Sequence, residues 1–374
     1  MSWKIWRIPA ILANPLCYTR RMLFLVPHLF PSARLLETAT QDLPLPALET
    51  LLARGALHSG PAEGVEAALC GALGIKRQQD WPLAPITLEA DGGMAGDAYW
   101  LRADPVHLRV MRDRIVLADS RDLALPLQEA TTLAAAIGRH FGADLSPIPL
   151  TAKHWYLRFP QAPRLTTTAP SVAVGSDIDS LLPNGADAMR FRAQLNELQM
   201  LLHEHPVNQA REARGELPVN SLWLWGGGTK PAVSAIRMPV YARDGEAHAL
   251  GTFCGAPLHP LPRRLEKSML ETECVILLEE LTNAGQYGDA YGWREAIREL
   301  EANWFVPLLG SLRTLGRPGL CLADPVSGRM LHLQRADYWK IWRRPRRLNA
   351  MPDCGELRAA PPTGRARQPL RPGP

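Results

Sequence analysis

Residues Met22-Leu-Phe-Leu-Val26 are apolar at every position, and Pro27-His28 closes the run. A strand with no polar face has nothing to offer water, so it belongs inside a sheet covered on both sides, as in parallel α/β sheets. Helix signals follow: residues 46–54 begin with Pro and stop before Gly55, and residues 65–73 stop before Gly74. The same texture returns late in the chain, with an apolar strand at 274–278, a Gly-bearing loop and a helix over 293–304.

Between these two stretches the pattern changes. Short strands with turn signals are predicted at 99–102, 107–110, 115–117, 155–159 and 172–174, interrupted by one helix whose apolar positions recur at helical spacing over 127–141. Pro82 to Pro85 reads as a boundary. A long helix over 186–205, the strand Ser221-Leu-Trp-Leu-Trp225 and a turn at Gly226-Gly-Gly228 then lead back to the core. The expected architecture is an α/β core built from residues 22–80 and 200–342, with a smaller α+β domain inserted at 86–183. No internal repeat is read along the chain.

Charge narrows the function. The 374 residues carry 42 Lys plus Arg against 37 Asp plus Glu, a net charge of +5. Residues 1–21 hold Lys4, Arg7, Arg20 and Arg21 with no acid, and residues 343–374 hold eight Arg against Asp353 and Glu356. What remains, 22–342, has 30 basic and 35 acidic side chains and is mildly acidic. Nucleic acid is therefore not an expected partner, except weakly through the basic tail. Residues 1–21 and the Arg- and Pro-rich 343–374 are expected to be disordered extensions. No apolar run approaches the ~20 residues that cross a bilayer, so no membrane partner is expected. The cysteines at 17, 70, 254, 274, 321 and 354 form no C-x-x-C pair, which points to reduced thiols, no zinc site and a cytoplasmic location.

Two groups of residues carry candidate chemistry. Gly226, Gly227 and Gly228 follow an apolar strand, where backbone N–H groups can approach an anion, and Asn208, Arg211 and Asn220 could add donors; the plainer reading is a tight turn. Arg102, His107, Arg109, Arg112 and Arg114 fall within thirteen residues and form either a phosphate clamp or, with Asp104, Asp113 and Asp119, a salt-bridged face. His154 and Arg158 belong with this second group. His203 and His205, two apart, point in different directions if helical, so a helix-end role beside Pro206 is expected and no metal site.

The segments Asp104-Pro-Val-His107, Asn196-Glu-Leu-Gln-Met-Leu-Leu-His203, His205-Pro-Val-Asn208 and Asn220-Ser-Leu-Trp-Leu-Trp-Gly-Gly-Gly228 resemble the RpfE-type regulatory proteins of proteobacteria. More distantly, the order of segments is similar to archaeal-type cofactor-independent phosphoglycerate mutase, a two-metal enzyme of the alkaline phosphatase superfamily. That resemblance implies an alkaline-phosphatase-like core sheet flanked by helices. It also implies a selective loss. The mutase's metal-binding Asp-Gly corresponds to Pro27-His28, its Gly-Ser-Asp-x-x-His nucleophile segment to Gly64-Val65-Glu66-Ala67-Ala68-Leu69, and its Asp-Glu-Ala-Gly-His loop to Thr282-Asn-Ala-Gly-Gln286. Trp225 stands for an Arg. Arg102, Asn208, Arg211 and Asn220 survive. The expectation is a pseudo-enzyme with no catalytic residue, no metal and no cofactor, which binds a phosphorylated small molecule or a regulatory protein partner. The competing expectation is a working mutase or phosphatase with unconventional ligands, for which His28 and Asp289 are the available substitutes.

Overall fold

A computed structural model describes residues 22–111, 114–118, 123–232, 235–243, 245–314 and 319–350. The expectations of disorder for 1–21 and for 351–374 concern residues outside these, as does Arg112. The strands in chain order are β1 (Met22–Leu25), β2 (Ala56–Ser59), β3 (Tyr99–Val106), β4 (Leu108–Val110), β5 (Ile115–Leu117), β6 (Ile148–Pro149), β7 (Trp155–Phe159), β8 (Ser221–Gly228), β9 (Val240–Ala242), β10 (Leu258–Pro260), β11 (Val275–Leu277), β12 (Leu320–Asp324) and β13 (Arg329–Leu333).

A central mixed sheet runs in the order β10-β9-β11-β1-β12-β13-β2. Its first four pairings are parallel and its last two antiparallel, so that β13 alone runs against the other six strands. The apolar run at 22–26 lies in the middle, as its lack of a polar face requires. Met22, Phe24 and Val26 pack with Ile276 and Leu322 against a layer that includes Leu48 and Leu51 of the helix Pro46–Arg54 and Trp293 and Ile297 of the helix Ala290–Leu300. Leu23 and Leu25 point the other way, onto the helices Val65–Ala72 and Leu83–Ala90. Helices therefore cover both faces.

The second sheet, β6-β7-β3-β8, is antiparallel, and β4 and β5 form a separate ribbon. Here the domain expectation is corrected. The strand read at 221–225 and the turn read at 226–228, both assigned from sequence to the core, form the one strand β8, which pairs with β3 and completes the second sheet. The reason is visible in its side chains: Trp223 and Trp225 join the core layer shared with β1, whereas Leu222 and Leu224 join a third core with the helices Leu127–Phe141 and Ala188–His203. A strand buried on both faces needs two covers, and it finds both here.

Three smaller expectations also change. The boundary read at Pro82 to Pro85 is the start of the helix Leu83–Ala90. Residues 172–174 form no strand; Pro170 opens the short helix Pro170–Ala173, its ring setting a helical φ. The disorder proposed from 343 does not hold for the described residues 343–350. Arg343 bonds the carbonyl of Ala53, the Arg346 N–H bonds the carbonyl of Glu49, and Leu348 is buried.

Candidate functional site

The sequence candidates do not converge on one cleft. Arg102 is fully buried in β3 and forks onto Asp104, with Nε to Oδ1 and Nη2 to Oδ2 both at 2.8 Å. Residues two apart on a strand share a face, so this pair closes locally. Its guanidinium lies 4.9 Å from the Trp225 ring and 5.4 Å from that of Tyr156, and Trp225 Nε1 donates to Asp104 at 2.7 Å. Trp225 completes a buried ion-pair network. His154 Nδ1 meets Asp91 at 2.8 Å on the same side of the sheet. Arg158 is exposed.

Asn208 donates to the carbonyls of Leu202 and Val219 and accepts from the Val219 N–H, which ties the helix Pro206–Ala213 to the start of β8. Arg211, buried, donates to the carbonyls of Leu123 and Leu217 and to Glu129. Asn220 accepts from the N–H of Leu108 and donates to its carbonyl, and His107 Nδ1 lies 2.9 Å from the carbonyl of Pro218. Apart from the Arg211–Glu129 pair, these side chains spend their hydrogen bonds on backbone. His205 N-caps the helix after it by accepting from Val207.

Nor do the three glycines cradle an anion. They continue β8, and a Cβ on Gly227 would sit 2.2 Å from Tyr99 Oη, one on Gly228 2.5 Å from Pro82 Cβ. They permit close packing. The small cavity beside Gly226, about 150 Å³, is lined by Glu63, Glu66 and Asp80 against Arg77. Its acidic lining is unsuited to phosphate.

A second concavity, roughly 1220 Å³, lies where β1, β11 and β12 end. Open α/β sheets place ligands outside the carboxyl ends of their parallel strands, because the loops diverge there. Arg34, Arg114 and Arg329 line it against the exposed Asp177. The fully buried carboxylate of Asp324 closes its base by accepting from the N–H groups of His28, Phe30, Val326 and Ser327 at 3.1, 2.9, 3.0 and 3.3 Å. Burial raises the Asp324 pKa, opposed by these backbone donors. They also hold His28 in the left-handed region, at φ 59. The His28 ring lies against Gly285, where an added Cβ would fall 2.4 Å from its Cβ. Burial lowers the His28 pKa to about 4, so the ring is neutral near pH 7. Its Nε2, with Gln286 Oε1 and Thr282 Oγ1, is buried without a hydrogen-bond partner. Asp289 is engaged in capping the helix Ala290–Leu300.

The resemblance implies two metal ions here. At the positions it assigns to ligands stand Pro27, Leu69, Thr282 and Gln286. Among the described residues no three His, Cys, Asp or Glu side chains gather as a metal-binding group. This donor set does not fit a divalent pair. Sequence reasoning passed over Arg34, Asp324 and Arg329, which come from segments some 300 residues apart.

The class of protein is thus a mixed α/β chain with a central mixed sheet flanked by helices and a basic crevice at its carboxyl edge. No family model matches it. A stretch of 156 residues, 41% of this chain and 39% of the relative, is 28% identical to a probable 2,3-bisphosphoglycerate-independent phosphoglycerate mutase of Geobacter sulfurreducens. Over 78 residues, 21% of this chain and 19% of the relative, it is 37% identical to the 2,3-bisphosphoglycerate-independent phosphoglycerate mutase of Methanosarcina mazei. The matches span one fifth to two fifths of those relatives' lengths. Among solved structures, the cofactor-independent phosphoglycerate mutase of Thermoplasma acidophilum aligns with 84% of this chain and 89% of its own at 17% identity and a TM-score of 0.40. A Pyrococcus horikoshii protein aligns with 88% and 92% at 13% identity and the same score. The chain is distantly similar in sequence to cofactor-independent phosphoglycerate mutases, and its fold description rests on its own sheet order.

Proposed function

We propose that this chain is a phosphoglycerate-mutase-related regulatory protein of the RpfE type. It holds a phosphorylated small molecule in the crevice at the ends of β1, β11 and β12 and does not transfer the phosphoryl group. One observation carries the reading: the crevice keeps its basic lining, while Val65, with a hydrocarbon side chain, opens the helix where an attacking oxygen would be needed. The exposed Arg34 and Arg114 supply charge for a phosphate, with Arg329 buried behind them against Phe30, and Arg offers a fork that matches phosphate oxygens. The neutral His28 and the unpartnered oxygens of Gln286 and Thr282 offer hydrogen bonds to the rest of the ligand. A cytoplasmic location belongs to this proposal, because phosphorylated metabolites are found there.

The test is a thermal-shift series with inorganic phosphate, 2-phosphoglycerate and 3-phosphoglycerate, on the parent and on the Arg34→Gln/Arg114→Gln variant. A phosphorylated ligand should raise the melting temperature of the parent and not of the variant, with no interconversion of the phosphoglycerates. Stabilisation retained by the variant would remove the crevice from the proposal, and turnover would remove its catalytic silence.

One contact favours the competing reading of retained phosphotransfer. The Ser171 hydroxyl bonds the buried Glu66 carboxyl and accepts from the Val65 N–H at 3.0 Å, an oxygen with an adjacent base at that same helix start. Turnover that disappears in Ser171→Ala would establish it.

A further inference from the structure

The pentapeptide Trp339-Lys-Ile-Trp-Arg343 occurs twice in this chain. Trp3-Lys-Ile-Trp-Arg-Ile-Pro9 and Trp339-Lys-Ile-Trp-Arg-Arg-Pro345 agree at six of seven positions, a repeat that a reading for domain-sized units passes over. The first copy lies outside the described residues. The second follows the short helical turn Arg335–Trp339, and its apolar side chains do not enter the core: Trp339, Ile341 and Trp342 are 60%, 72% and 73% exposed. Exposed apolar groups this large and adjacent mark a contact surface.

Charge says what it contacts. Arg343, Arg344, Arg346 and Arg347 are all exposed beside this patch. Asp337 is buried and paired with Lys340 at 2.5 Å, and Asp42 and Glu49 line a pocket with Arg347. The surface is thus apolar at its centre, with four Arg against these two acids alongside. Indole rings favour the boundary between headgroups and acyl chains, and clustered Arg favours anionic headgroups. Ile341 decides against nucleic acid: an aliphatic side chain offers no face for a base, yet both copies keep it between the two tryptophans.

We propose that the segment 339–347 is a peripheral docking site for anionic lipid bilayers. This is attachment to a surface and requires no membrane span; no helix among the described residues is long and apolar enough to cross one.

The experiment is co-sedimentation of the full chain with vesicles of phosphatidylcholine alone or mixed with phosphatidylglycerol, with polyuridylate as competitor. The parent should pellet with the mixed vesicles only. Trp339→Ser/Trp342→Ser should weaken this at least tenfold, and Arg344→Gln/Arg347→Gln by about fivefold per charge removed. All four side chains are exposed, so melting temperatures should match the parent and separate lost docking from lost folding. The proposal is overturned if the parent ignores mixed vesicles, if the tryptophan variant pellets like the parent, or if polyuridylate binds the same residues and strips the protein from lipid.

Discussion

Asp324 and His28 are 296 positions apart, and the carboxylate of the first receives the backbone N–H of the second at 3.1 Å. One buried side chain thereby fixes the loop after β1 and the loop after β12 to each other, and with them the floor of the crevice. Truncation would leave four N–H groups without their acceptor, each costing about 1–3 kcal/mol where water cannot replace it. Asp324→Ala should lose at least about 3 kcal/mol in urea denaturation, and Asp324→Asn, which keeps one acceptor oxygen, should lose less. An unchanged midpoint for the alanine variant would contradict this.

Glu66 makes stability depend on pH. Burial raises its pKa from 4.5 to about 7, although its hydrogen bonds to Ser171 pull the other way. The folded protein then holds a proton that the unfolded chain releases. Its contribution is full below about 4.5 and is lost as pH rises through about 7. Glu66→Gln mimics the protonated form, so relative to the parent it should gain stability between about pH 5 and about pH 8, by an amount on the order of 3 kcal/mol. Parallel denaturation curves at the two pH values check it.

Arg102 should behave as a buried ion-pair partner with no part in ligand binding. Arg102→Met leaves Asp104 charged and buried without its guanidinium, a change that typically costs about 3–5 kcal/mol. Removing both charges in Arg102→Met/Asp104→Leu should recover much of that loss. Melting temperatures of the two variants decide it; a double variant no better than the single would mean that the network with Trp225 and Tyr156 needs the charges.

Gly175 tests the crevice wall. Its φ is +76, and a Cβ there would lie 2.0 Å from the carbonyl oxygen of Gln286. Backbone on both sides leaves nothing soft to yield, so Gly175→Ala should cost more than about 2 kcal/mol. It should also reduce any ligand-induced rise in melting temperature, because this contact seats the segment carrying Val174 and Asp177 against the helix Thr282–Tyr287.

What was legible in the sequence had a local cause. The strand at 22–26 and the helix at 127–141 follow from side-chain periods that need no partner to be read. The candidate residues were chosen for chemistry alone, and there the sequence is ambiguous. A guanidinium that could clamp phosphate satisfies a neighbouring carboxylate equally well, and the acid two positions from Arg102 was the available sign of which it does. Asn208 and Arg211 mislead in the same way, since a buried polar side chain must find partners and backbone carbonyls are the nearest. The crevice was hidden for a different reason. Arg34, Asp324 and Arg329 are related by no spacing, and only the pairing of β1 with β12 brings their loops together. The strand over 221–225 was recognised, with 226–228 read as a turn where the strand in fact continues, and its apolar run could not say which sheet would bury it.

The near-contact of Gly228 with Pro82 has a consequence for how such a chain can be taken apart. The path leaves the seven-stranded layer near Pro82 and comes back after Gly228, with no strand of that layer between them. The stretch is nevertheless no detachable cassette: the helix Leu83–Ala90, Trp223 and Trp225 pack into the layer beside β1 and Gly175 abuts Gln286, so lifting it out would strip cover from one face of the larger sheet.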